Sequence, residues 1–184
     1  VEECCKIKGV ERVRLGSLEP EVITNEDLLR LSRLPQFCPQ FHLSLQSGCD
    51  KTLCTMHRHY NTDEYMNLVN KIRSVFPDCS ITTDVMVGFP LESDEDFEQS
   101  LEFVRKVGFA KIHVFQYSMR NGTVAASLRQ IPKAVKHERA DRMKALAAQL
   151  HREYLKKQVG KVVPVLFERE SSPEFHQGYA PDYT

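Results

Sequence analysis

SITTDVMVGFPLES, Ser80 to Ser93, carries the clearest architectural signal in the chain. Ile81, Val85 and Val87 alternate with Thr82, Asp84 and Met86, and Gly88-Phe89-Pro90 ends the run. A β-branched run that stops at Gly-x-Pro and meets an acidic helix start predicts a buried parallel strand feeding a βα loop. Asp94, Glu95 and Asp96 open that helix, where acids complement the macrodipole. Ligands of α/β folds sit at the carboxyl ends of such strands. Gly88 offers a ligand close approach to the backbone there.

The flanking sequence repeats the pattern. Gln40 to Leu45 predicts a strand with Phe41, Leu43 and Leu45 on one face and His42 and Ser44 on the other. Gln46-Ser47-Gly48 ends it with short polar side chains and a glycine. Lys111 to Phe115 predicts another strand, with a long exit loop from Gln116 to Ala126. On the N-terminal side, Val1 to Lys8 reads as the end of a helix closed by Gly9, and Val10 to Leu15, where Val10, Arg12 and Arg14 alternate with Glu11, Val13 and Leu15, as a short strand leaving through Ser17-Leu18-Glu19-Pro20. Helices are expected after Thr24, with Asp27 completing a capping box and Leu28, Leu29 and Leu31 on the apolar side. Others run from a Thr62 cap to Val75 and from Asp94 to Lys106. Arg58 and Tyr60 fall in the loop before the helix that Thr62 caps.

Repeated βα units argue for an α/β fold with a parallel sheet or a barrel segment. Right-handed crossovers put successive exit loops on one rim. Ser44, Gln46, Arg58 and Gly88 are therefore expected to converge on one cleft at the carboxyl ends of the strands. Composition changes after Pro132: one long, basic-leaning helix reaches Gly160, and an all-β segment begins at Val162. The expected division is a barrel segment over 1–131, a linker helix over 132–160 and the start of a small β-domain over 161–184.

Composition adds bounds. The 184 residues carry 25 basic and 25 acidic side chains, so net charge alone does not announce a polyanion partner. No apolar run approaches the roughly 20 residues that span a bilayer, and no signal peptide opens the chain, so the expectation is no membrane partner and a cytoplasmic location. The start at Val1-Glu2-Glu3 leads us to expect a piece of a longer chain. Cys4, Cys5, Cys38, Cys49, Cys54 and Cys79 are scattered through helix and strand patterns, which favours reduced thiols. Cys49, Cys54, His57 and His59 suggest an alternative reading as a metal-binding domain, although their spacing fits no common zinc motif.

Taken together, the strand ends resemble those of the radical S-adenosylmethionine (SAM) methylthiotransferases. Arg12-Val13-Arg14-Leu15-Gly16-Ser17-Leu18-Glu19-Pro20 is similar to that family's R-I-R-L-S-S-L-E-P. Phe41 to Gly48 resembles H-x-H-L-x-L-Q-S-G, and Met56, Arg58 and Tyr60 match M-x-R-x-Y. Thr83 to Pro90 matches T-D-V-I-V-G-F-P, and Tyr117-Ser118 with Arg120, Gly122 and Thr123 matches Y-S-x-R-x-G-T. Ser44 and the run from Phe109 to Phe115 look most like the branch acting on threonylcarbamoyladenosine in tRNA. Other branches act on isopentenyladenosine in tRNA or on a ribosomal protein.

The resemblance implies a reaction in which a reduced [4Fe–4S] cluster cleaves SAM. The resulting radical removes hydrogen from C2 of a modified adenine in the tRNA anticodon stem-loop, where a methylthio group is installed. It implies SAM contacts from Ser44, Gln46 and Ser47, a carboxylate contact from Arg58, adenine packing by Val87 and Gly88, and backbone bonds from Phe115 to Tyr117. It also implies the narrower fold reading, a partial TIM-type (β/α) barrel segment of parallel strands, and that the 161–184 segment begins a TRAM-type RNA-binding domain. Two features depart from the family. The C-x3-C-x2-C cluster loop is not among the cysteine spacings, and Leu91 stands where the family has glycine. The expectation is therefore a C-terminal fragment inactive on its own, with a non-catalytic RNA-binding role as the alternative.

Overall fold

The structure, a computed structural model, describes residues 1–172 and 175–184. In chain order it contains α1 (Glu2–Cys5), β1 (Ser17–Leu18), α2 (Asn25–Leu31), β2 (Gln40–Leu43), α3 (Asp50–Thr55), α4 (Thr62–Val75) and β3 (Ser80–Val87). There follow α5 (Asp94–Val107), β4 (Lys111–Gln116), α6 (Val124–Ser127), α7 (Lys133–Lys156), β5 (Leu166–Ser172) and β6 (Phe175–Tyr179). Strands β1 to β4 form one parallel sheet in sequence order, and β5 pairs with β6 as an antiparallel hairpin. This is the expected α/β architecture of parallel βα units. No helix of the described residues is long and apolar enough to cross a membrane.

Strand alternation sets the two faces of the sheet. Phe41, Leu43, Leu45, Ile81, Val85 and Val87 are buried in one core with Val69 and Ile72 of α4, Phe97 and Val104 of α5, and Met143 and Leu146 of α7. The other face carries Gln40, His42, Thr82, Asp84 and His113 and borders a cavity. Capping boxes start three helices: Thr24 with Asp27, Asn61 with Glu64, and Ser93 with Asp96. Each satisfies two backbone donors that a helix start leaves open.

Several boundaries differ from the sequence reading. The residues paired as β1 are Ser17 and Leu18, whereas Val10 to Leu15 contributes only an isolated bridge from Val13 to Phe37. The arginines that produced the alternation there serve another contact: Arg12 donates to the carbonyls of Tyr179 and Pro164, and Arg14 stacks on Tyr183. Asn61, not Thr62, caps α4. Leu29 is 51% exposed, because only Leu28 and Leu31 of that helix turn inward. Helix α3 occupies part of an expected loop, and the stretch expected to turn at Ser171-Ser172 is paired as the end of β5. Beyond the turn expected at Ser171-Ser172-Pro173, Pro173 lies outside the described residues. Helix α7 packs on β4 and α5, and its buried residues belong to the core of the sheet.

The turn after β3 is fixed by charge. Glu92 accepts from the Gly88 N–H at 2.8 Å and from Nη1 of Arg139 at 2.7 Å, and Nη2 of Arg139 reaches Asp94 at 2.6 Å. The Glu92 and Arg139 side chains are 1% and 4% exposed. Burial raises the Glu92 carboxyl above its ordinary value, opposed by the Gly88 N–H and by Arg139. An acid raised in this way contributes its full stability below its unfolded value and loses it as pH rises through the folded one.

Removing Arg139 leaves Glu92 buried without its cation and raises it further. Arg139→Met is expected to cost about 3–5 kcal/mol near neutral pH. The loss should shrink as the solution is acidified and Glu92 takes up a proton. Urea denaturation at neutral and at acidic pH checks this, and a loss that does not change with pH would contradict it.

Candidate functional site

A cavity of about 670 Å³ lies against the polar face of the sheet. The strands supply Gln40, His42, Thr82, Asp84, His113 and Phe115. Its opposite end is built by α7 and the C-terminal segment: the Ser80 hydroxyl donates to the Asp182 carbonyl, and the Tyr154 hydroxyl donates to the Asp182 carboxylate. Tyr179 and Tyr183 stack with ring centroids 4.2 Å apart, and the Arg14 guanidinium lies 3.9 Å from the Tyr183 centroid. Cation–π and stacking contacts of this kind hold the floor of the cavity as a layered unit.

Within the cavity, ladder register brings three ligating side chains together. Asp84 lies opposite His113, and His42 lies opposite Thr82, one inward position below Asp84. Nε2 of His42 stands 3.4 Å from Oδ2 of Asp84, and Nδ1 stands 2.9 Å from Oγ1 of Thr82. Gln40 Nε2 donates to the same Thr82 oxygen at 3.0 Å. One ligating atom from each of His42, Asp84 and His113 falls within 4.8 Å of the others. Inward parity on three adjacent strands is the sequence signal for this group, but it becomes a cluster only once the register is known.

The carboxyl rim holds the residues singled out from sequence. Leu43 and Leu45 stay in the core, which leaves Ser44, 7% exposed, on the polar face of the strand but outside the lining of the cavity. Gln46 has φ 64°, and its backbone is tied into β3 by bonds to Asp84 O and from Met86 N, both 2.9 Å. A left-handed glutamine is uncommon, and such positions cluster at functional sites. Nη1 of Arg58 takes both oxygens of Glu19, at 2.9 and 3.0 Å, in the loop leaving β1. Arg58 is therefore on the same rim as Gly88, since the strands are parallel.

The remaining rim residues are more committed. Ser47 is buried, and its hydroxyl accepts from Cys49 N as α3 begins. The Val87 side chain lies in the helix-side core. The room expected for a ligand at Gly88 is filled by α7: a Cβ there would stand 2.5 Å from Cγ of Lys136. Gly88 is needed for its φ of 70° and for that close approach. Tyr117 N donates to Val87 O, and Tyr117 O accepts from Lys136 Nζ. Phe115, 52% exposed, borders the cavity.

The cysteines do not assemble a cluster site. Cys4 and Cys54 are exposed and Cys38 and Cys49 buried, and among the described residues no three thiols approach one another as ligands. Burial pushes the Cys79 thiol up to about 11 and raises that of Cys38, which disfavours the thiolate a metal needs. Cys49 Sγ instead faces Gln99 and Asp96, so Cys49, Cys54, His57 and His59 form no joint site among the described residues. The three-thiolate arrangement of a [4Fe–4S] site does not fit the residues present.

The radical SAM superfamily profile matches residues 1–104. A tRNA-2-methylthio-N(6)-dimethylallyladenosine synthase of Mycobacteroides abscessus is 45% identical over 164 residues, covering 89% of this chain and 32% of that protein. A threonylcarbamoyladenosine tRNA methylthiotransferase of Thermotoga maritima is 43% identical over 164 residues, covering 89% and 38%. The chain thus spans about a third of the length of such curated relatives. Among solved structures, coproporphyrinogen III oxidase of Escherichia coli, described as a radical SAM enzyme, superposes with a TM-score of 0.62 at 19% identity. It covers 76% of this chain and 32% of its own, and so shares the fold.

One rim position bears on stability. Leu91 has φ 69° and is 46% exposed, where the resembled family has glycine. A left-handed L-residue costs about 1–2 kcal/mol, partly offset by the greater unfolded-state entropy of glycine. Leu91→Gly is expected to stabilise the fold by about 0.5–1 kcal/mol. A rise in the urea midpoint at unchanged slope checks it, and a fall would show that the Leu91 side chain makes a compensating contact.

Proposed function

The chain belongs to the radical SAM superfamily, and from this premise we propose that it carries the barrel part of a tRNA methylthiotransferase that modifies C2 of N6-threonylcarbamoyladenosine beside the anticodon. The observation that carries the choice of substrate is the lining of the cavity. Arg14, Lys111 and His113 border it together with His42, Thr82 and Gln40. A threonylcarbamoyl group ends in a carboxylate and a hydroxyl, which cations and hydroxyl groups can satisfy. A dimethylallyl group is hydrocarbon throughout and would offer the Lys111 ammonium at the cavity wall no acceptor.

SAM would lie at the carboxyl rim and supply the methyl group. Ser44 and Gln46 would meet its polar ends from β2, and Arg58 would offer its Nε and Nη2 to the carboxylate while Nη1 keeps Glu19. Phe115 presents an exposed ring for the adenine. Val87, Gly88 and Tyr117 would act through the turn they build, and Ser47 through the start of α3. The thiols of this chain supply no cluster ligands, so no step is assigned to them. The basic side of α7 and the β5–β6 hairpin are the surfaces proposed to meet the tRNA backbone, and a cytoplasmic location is proposed along with that partner.

The test is the whole enzyme that contains this barrel, incubated with SAM and with tRNA bearing either modification, followed by mass analysis of the nucleosides. Methylthio product is expected on threonylcarbamoyladenosine and not on the dimethylallyl substrate, and the reverse would overturn the assignment. Lys111→Ala should lower kcat/KM roughly 10–100-fold, the equivalent of about 1.5–3 kcal/mol for a hydrogen bond to a charged group. The isolated chain, assayed in parallel after iron–sulfur reconstitution, is expected to leave both tRNAs unmodified.

A further inference from the structure

We propose that His42, Asp84 and His113 form a binding site for one divalent transition-metal cation of the Zn²⁺ and Co²⁺ type on the inner face of the sheet. The argument begins with a distance. Nε2 of His42 and Oδ2 of Asp84 are 3.4 Å apart. That is long for a charge-assisted N–H···O bond, which closes to about 2.7–2.9 Å. It is the separation of two ligands on one tetrahedral ion, since bonds of about 2.1 Å place neighbouring donors about 3.4 Å apart.

The surroundings prepare the imidazole. Nδ1 of His42 lies 2.9 Å from the Thr82 oxygen, which Gln40 also engages at 3.0 Å. A cation at this place would select the tautomer in which Nδ1 donates to the Thr82 oxygen beside Gln40 and Nε2 turns its lone pair toward the Asp84 carboxylate. Two acceptors then face each other, and a cation between them resolves the contact. A ligating histidine held through its other nitrogen is the usual outer-sphere arrangement of metal sites.

His113 supplies the third ligand. Its strand partner is Asp84, and its ligating atom is within 4.8 Å of the other two. It is exposed, so its ring can turn to close the triangle. Two imidazoles and one carboxylate suit a borderline first-row cation better than calcium or magnesium, which prefer all-oxygen cages. The remaining coordination positions open into the cavity and would accept water or a carboxylate oxygen. The site does not depend on the methylthiotransferase reading.

The test uses this chain, freed of metal with a chelator and titrated with Co²⁺ and Zn²⁺ by calorimetry and visible absorption. One ion per chain is expected, with the weak d–d bands of a nitrogen–oxygen ligand set and without thiolate-to-cobalt charge transfer. His113→Ala and Asp84→Asn should each weaken binding at least about tenfold, and Thr82→Val about 10–100-fold. Cys54→Ser should leave it unchanged. His113 is exposed, so its variant keeps the test valid if a buried substitution unfolds the chain; circular dichroism monitors this. Absence of stoichiometric binding overturns the proposal, as does thiolate absorption or binding unaltered by His113→Ala.

Discussion

The ion pair between Arg139 and Glu92 sets the geometry on which the rim depends. Both side chains are nearly sealed from solvent, a state that costs several kcal/mol per ion before any partner is counted. The structure meets this with dense hydrogen bonding. Glu92 takes the Gly88 N–H and Nη1 of Arg139, and Arg139 also reaches the Glu92 carbonyl and Asp94. Among the described residues Nε of Arg139 has no partner, so the match is tight at one end of the guanidinium and incomplete at the other. A hydrophobic pair could fill the same volume. It could not hold the Gly88 amide, and the turn that ends β3 would lose its anchor to α7.

That anchoring explains why the sequence disclosed the βα units well and their joints less well. The alternation in Gln40 to Leu45 and Ser80 to Val87, and the helical spacing from Tyr65 to Ile72, report local burial, and burial follows them closely. Helix α3 was hidden because DKTLCT is too short to show a period, and β1 was displaced because Arg12 and Arg14 supplied an alternation that belongs to another contact. Those arginines reach residues about 150 or more positions away, and nothing in a local window encodes such a partner. Gly88 misled for a related reason. Its glycine character was legible, but the atom that needs the space is Cγ of Lys136, on a helix far along the chain.

The candidate site divides along the same line. That Ser44, Gln46 and Arg58 share a rim follows from parallel strands and short connections, which sequence order already implies. Assembly of His42, Asp84 and His113 needs the register of three strands, a property of backbone pairing rather than composition. The positive φ of Gln46 was equally silent in the sequence. Glutamine carries no propensity for that conformation, and what holds it there is the pair of backbone bonds to β3.

Asp84 joins the two parts of the site through one residue. Its carbonyl accepts from the Gln46 N–H at 2.9 Å and so helps hold the left-handed turn at the rim. Its carboxylate meets His42 at 3.4 Å inside the cavity. Backbone and side chain of a strand residue cannot shift independently by much, because β4 and β2 flank β3 on both sides. One residue of a strand paired on both sides thus gives its carbonyl to the rim and its carboxylate to the cavity, so the two parts of the site share a single backbone position.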